Sequence, residues 1–101
     1  MKVRWSEIAT SEVEAIFAYI LEHSPSSAET VARRIIDRAE SLSEFPFLGN
    51  DIKRRGTRKL PVVNYPYVVL YKIDIAADEV WILNIRHTAR KKPAADDPRA
   101  G

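Results

Sequence analysis

Residues 67–85 read YVVLYKIDIAADEVWILNI. Two runs in this stretch decide the fold. Tyr67-Val68-Val69-Leu70-Tyr71-Lys72-Ile73 and Val80-Trp81-Ile82-Leu83-Asn84-Ile85 are built from β-branched and aromatic residues, the types that pack well on a pleated surface. A short connector with turn residues at both ends, Asp74 to Glu79, joins them. Both runs are nearly continuous in apolar residues, so both are expected in the middle of a sheet with covered faces.

The upstream segments have a different period. From Ser6 to His23, Ile8, Val13, Ile16, Phe17, Ile20 and Leu21 fall near helical spacing and form one apolar stripe. Ser6 is a candidate N-cap, and Ser11 with Glu14 has capping-box spacing. His23-Ser24-Pro25 ends this helix, because the residue before proline avoids the α region. A second helix is expected over Ser26 to Ser43, opened by Ser26 and Glu29, with Val31, Ala32, Ile35, Ile36, Ala39 and Leu42 as its stripe. So short a connection implies an antiparallel helical hairpin.

Lys2 to Trp5 is a candidate opening strand. Phe45-Pro46-Phe47-Leu48-Gly49-Asn50 returns the chain to the sheet, and Asp51 to Thr57 reads as a polar, basic loop. Arg58 to Val63 is a weak strand, placed at an edge or bulge by Pro61, which cannot donate to a ladder. The expected fold is α+β, a helical hairpin on one side of a small antiparallel sheet, in the order β-α-α-β-β-β. One domain over residues 1–93 and a flexible tail over 94–101 complete it.

Composition narrows function by exclusion. There is no cysteine among 101 residues, which removes disulfides, Cys-type zinc sites and thiol catalysis. His23 and His87 are the only histidines and neither has a second ligand nearby, so no metal and no cofactor are expected. His23 suits a helix C-terminus, where a cationic ring offsets the dipole. No Gly-x-Ser-x-Gly elbow and no glycine-rich phosphate loop occur. MKVRWSEI lacks the apolar core of a signal peptide, and the longest apolar run, Ala15 to Leu21, is too short to span a bilayer. A soluble cytoplasmic protein is expected.

Charge is unevenly placed. Residues 1–50 carry 5 Lys/Arg against 8 Asp/Glu, and residues 51–101 carry 11 against 6, so the halves are at −3 and +5. Such a basic half suits an anionic partner, nucleic acid or an acidic protein segment. Its cations fall into two clusters, Lys53-Arg54-Arg55 with Arg58-Lys59, and Arg86-His87 with Arg90-Lys91-Lys92. An antiparallel sheet offers a way to bring both to one end as a single phosphate-binding patch. His87 beside Arg90 also has the composition of an acid/base next to an anion clamp. The plainer reading is that His87 satisfies a backbone group and the Lys/Arg side chains solubilise an edge.

Taken in order, these pieces resemble the RelE/ParE superfamily, the toxins of bacterial type II toxin–antitoxin pairs. The resemblance covers about residues 2 to 93. It is carried by Trp5-Ser6, the first helix ending Tyr19-Ile20, Phe45-Pro46-Phe47-Leu48-Gly49, Gly56-x-Arg58, Tyr67 to Tyr71, and Val80-x-Ile82-Leu83-x-Ile85-x-His87-x-x-Arg90. It implies one of two activities. RelE-like members cut mRNA on the ribosome, whereas ParE-like members poison DNA gyrase by binding. RelE-like enzymes place an arginine where this chain has Val68 and another where it has Thr88, and often a late tyrosine, whereas none follows Tyr71 here. His87 and Arg90 match the ParE-like ending.

The expectation is therefore a gyrase-inhibiting toxin with no catalytic residues. Arg58, Arg86, His87, Arg90, Lys91 and Lys92 would meet the target. A cognate antitoxin would neutralise it in a heteromer, docking on the helical hairpin groove or the open sheet edge. The alternative is a ribosome-dependent mRNA endoribonuclease using His87, Arg90 and Lys59. A second alternative is a non-toxic member that only binds its partner.

Overall fold

The computed structural model describes residues 1–89. The elements are β1 (Lys2–Trp5), α1 (Glu7–His23), α2 (Pro25–Glu40), a 3-10 turn (Ser41–Ser43), β2 (Asn50–Asp51), β3 (Arg58–Pro61), β4 (Tyr67–Asp74) and β5 (Glu79–His87). The fold is α+β, with two helices on one face of a five-stranded sheet ordered β1-β5-β4-β3-β2. The sheet differs from the expected one in two ways. It is mixed, because β1 pairs parallel with β5 while every other pair is antiparallel. It also has a two-residue strand, β2, made of Asn50 and Asp51, residue types with low strand preference that held no local signal.

Ser6 is the N-cap of α1, its hydroxyl accepting a hydrogen bond from the Ala9 backbone N–H at 3.0 Å. The stripe α1 buries is Ala9, Val13, Ile16 and Ile20, while Ile8, Phe17 and Leu21 stand exposed. The expected stripe ran through Ile8; the structure puts the small Ala9 against the sheet, where a methyl lets the helix approach closely. α2 starts at Pro25, not Ser26. Proline fits the first helical turn, whose N–H would go unpaired anyway. Ser24 alone joins the helices, its N–H donating to Ile20 O at 2.6 Å. Ala28, Val31, Ile35 and Ala39 form the buried stripe of α2.

Ile35, Leu42, Leu60, Val69, Tyr71, Val80 and Ile82 are the largest fully buried side chains. Strand alternation would put Ile82 and Ile85 on opposite faces. Both are buried, because Leu70 opposes Asn84 while Tyr71 opposes Ile82, leaving Leu83 as an extra residue in a bulge. Pro61 ends β3 opposite Val68; Val62 N–H bonds Tyr67 O beyond that pair, so the missing Pro61 N–H falls on the side away from β4. The expectation that both faces of β4 and β5 are covered is corrected: Lys72, Trp81 and Arg86 occupy a face opposite the helices, and Trp81 and Arg86 are exposed.

Candidate functional site

Register and alternation assign each candidate side chain to a face. Tyr67, Val69, Tyr71 and their partners His87, Ile85 and Ile82 lie on the helix side. The open side carries Lys59 opposite Leu70, Arg86 opposite Val68, and Lys72 opposite Trp81, which in turn neighbours Arg4 of β1. Trp81 is held edge-on to a charged network: its indole N–H donates to Glu79 Oε1 at 3.0 Å, and Arg4 Nε reaches Glu79 Oε2 at 2.9 Å. The Arg4 guanidinium first, then the indole N–H, hold the Glu79 carboxyl below the usual carboxylate range. Beside Trp81, residues Lys72, Ile73, Asp74, Ile75 and Leu83 line a shallow depression of about 410 Å³. The sequence reading missed this basic, tryptophan-bearing face. Its signal was Lys72 and Trp81 inside the two apolar runs, with Arg86 directly after the second.

Among the described residues, the first cluster and the Arg86-His87 part of the second lie apart. Arg58 opposes Tyr71, and the Lys53–Arg55 hairpin tip extends further toward the Lys72–Asp74 end of β4. Arg86 and His87 oppose Val68 and Tyr67 at the other end. The described cations of the expected single patch therefore fall in two regions of the sheet. Arg58 is engaged internally: one guanidinium nitrogen donates to Gly49 O at 2.6 Å and Phe47 O at 3.4 Å.

His87 ends β5 with its ring edge-on to Tyr67, centroids 5.1 Å apart. Its Nδ1 accepts from the Ala89 backbone N–H at 3.1 Å, so the neutral ring carries its proton on Nε2. Thr88 donates its N–H to Pro66 O at 2.8 Å, which fixes the exit of the strand. Lys59 lies on the opposite face of the sheet from His87. Arg90, Lys91 and Lys92, and the tail over 94–101, lie outside the described residues. Among the described residues no group of three or more His, Asp or Glu gathers as a metal site, and no helix is long and apolar enough to cross a membrane.

The β5 edge was also missed. β1 pairs only with Glu79 to Ile82, so β5 continues past it. There Ser6 Oγ donates to Leu83 O at 3.0 Å, and Glu12 from α1 accepts the Ile85 N–H at 2.7 Å. Two helix side chains therefore satisfy backbone groups that would otherwise invite another strand.

A family model described as the ParE toxin of the type II toxin–antitoxin system parDE matches residues 3–92. The toxin RelE2 of Caulobacter vibrioides is 38% identical over 89 residues, spanning 88% of this chain and 97% of that protein. Among solved structures, the chromosomal ParDE toxin–antitoxin system of P. aeruginosa superposes with a TM-score of 0.76 at 20% identity, covering 86% of this chain and 95% of that one. The RelBE2 toxin–antitoxin complex of Mycobacterium tuberculosis gives 0.64 at 22% identity, covering 88% and 92%. At these identities the structures show a shared fold.

Proposed function

The chain belongs to the ParE toxin family of type II toxin–antitoxin systems, and we propose that it inhibits DNA gyrase by binding, in the cytoplasm, and is neutralised by a cognate antitoxin in a heteromer. The observation that carries this reading is Val68. It is apolar, 8% exposed, and directly opposite Arg86 on the open sheet. Metal-free RNA cleavage needs a cation at the developing phosphorane and a base for the 2′-hydroxyl. The resemblance marks position 68 as the ribonuclease arginine, and Val68 offers neither. Of the rearranged ribonuclease's residues, His87 and Lys59 sit on opposite faces, and Arg90, its other phosphate clamp, lies outside the described residues. An antitoxin partner is supported by the likeness to toxin–antitoxin complexes.

On this reading the basic segment from Arg86 to Lys92 contacts gyrase and its DNA. The purified chain incubated with gyrase, plasmid and ATP is expected to accumulate cleaved DNA trapped on the enzyme. The triple substitution Arg90→Ala, Lys91→Ala, Lys92→Ala is expected to abolish that effect. A folded triple variant of full potency would remove the segment's assigned role. Unchanged plasmid together with His87-dependent mRNA cleavage on ribosomes would establish the ribonuclease instead. Growth unaffected by overproduction would leave a partner-binding member only.

A further inference from the structure

We propose that the Phe45–Leu48 turn and the adjoining Lys53–Arg55 hairpin tip form one docking surface for an acidic, apolar segment of the antitoxin. This rests on the antitoxin reading above and adds a location and a recognition chemistry to it.

Three of the four residues in the turn expose large apolar side chains. Phe45 is 58% exposed, Phe47 62% and Leu48 46%. The turn is nevertheless held from below by two strand residues. The Tyr71 hydroxyl, on a fully buried side chain, donates to Pro46 O at 2.7 Å and accepts from Gly49 N–H at 2.9 Å. The Arg58 guanidinium bonds the Phe47 and Gly49 carbonyls and sits 5.1 Å from the Phe47 ring centroid. Its buried Nε has no protein partner among the described residues. Apolar side chains on a fixed turn lose little freedom when covered, which is the setting of a binding hot spot.

The hairpin tip points to the same conclusion through its backbone. Lys53, Arg55 and Gly56 have φ values of 60°, 50° and 77°. Glycine adopts this left-handed region freely, while lysine and arginine do so at a conformational cost. The tip is ordered by the Asp51 carboxylate on Lys53 N–H at 2.6 Å and by Thr57 N–H on Arg54 O at 2.9 Å. Gly or Asn would suit these positions better, so local backbone preference alone does not select Lys53 and Arg55. β2 begins directly after Gly49. Leu48 and Lys53 are therefore separated by at most about 17 Å, five residues at about 3.3 Å each.

An apolar turn joined through the short β2 to exposed Lys53, Arg54 and Arg55 is complementary to apolar side chains followed by carboxylates. Single-stranded nucleic acid is the rival, since bases stack on aromatic rings. The aliphatic Leu48, exposed within the same turn, favours a protein.

The test measures binding of the full chain to its full-length cognate antitoxin by calorimetry at low and high salt. Phe45→Ser with Leu48→Ser spares the Phe47–Arg58 contact; it is expected to keep the native unfolding midpoint and lose about 100-fold in affinity. Arg54→Glu is expected to lose about tenfold at low salt and less at high salt. Folded variants that bind within twofold of the native chain overturn the surface while leaving the antitoxin reading intact. A native chain that binds no antitoxin overturns both. Variants that keep antitoxin affinity but lose a single-stranded oligonucleotide assign the surface to nucleic acid and overturn the proposal.

Discussion

Replacing Tyr71 by phenylalanine tests how the loop is coupled to the core. The ring is fully buried and would stay in place, so no large cavity forms. What is lost is one oxygen that serves two backbone groups, Gly49 N–H at 2.9 Å and Pro46 O at 2.7 Å. Gly49 is buried, so its N–H is left without a partner or water; that costs about 1–3 kcal/mol. Pro46 is half-buried and its carbonyl can turn to solvent, adding about 0–1 kcal/mol. A loss of about 1–4 kcal/mol follows, with a midpoint of about 2.5, against a total of about 5–15 kcal/mol for a chain of this size. In a domain of this size that lowers the melting temperature by about 10–20 °C. Urea denaturation followed by circular dichroism gives the free energy directly. Ile75→Ser, at a side chain 66% exposed, is the control and should change stability by under about 0.5 kcal/mol. A Tyr71→Phe chain within about 0.5 kcal/mol of native would refute the claim that this hydroxyl anchors the loop.

The same anchor predicts that Gly49→Ala destabilises by about 2 kcal/mol or more in urea, because its Cβ would stand 2.7 Å from Lys59 O and 2.9 Å from the Tyr71 hydroxyl. Combined with Tyr71→Phe, its cost should be less than additive. Ser6→Ala removes both the α1 cap and the bond to Leu83 O, so about 1–2 kcal/mol should disappear from the unfolding free energy. Glu79 has a depressed carboxyl in the folded chain, held by Arg4 and Trp81. Its stabilising effect is therefore complete above the ordinary carboxylate range and lost as pH falls through the lower folded value. Trp81 fluorescence should change in that acid window, and Glu79→Gln should abolish the transition.

The helices and the β4–β5 hairpin were legible because each has a strong local period. Ser6 as a cap followed from single-residue chemistry; Pro61, expected at an edge or bulge, instead ends β3, a strand lying between β4 and the two-residue β2. The parallel partnership of β1 with β5 was not legible, since Lys2 and Glu79 are joined by no local signal. Nor was β2, whose pairing depends on the hairpin geometry around Lys53 to Gly56. The candidate residues fared differently. Arg58 was legible as a residue of note, but only the packed loop shows its guanidinium bonded to Gly49 O and Phe47 O. The separation of Arg58 from Arg86 and His87 needed the register, because alternation decides which face a cation occupies and pairing decides at which end. Ser6 and Glu12 at the β5 edge were hidden for the same reason, being distant in sequence from Leu83 and Ile85.

Gyrase inhibition by binding is the central claim. The most direct measurement is to induce this chain alone in bacteria and pulse-label DNA and protein synthesis over the first minutes. The account predicts that DNA synthesis falls first, with protein synthesis following later. A first fall in protein synthesis would contradict it and turn the argument from Val68 and Thr88 around.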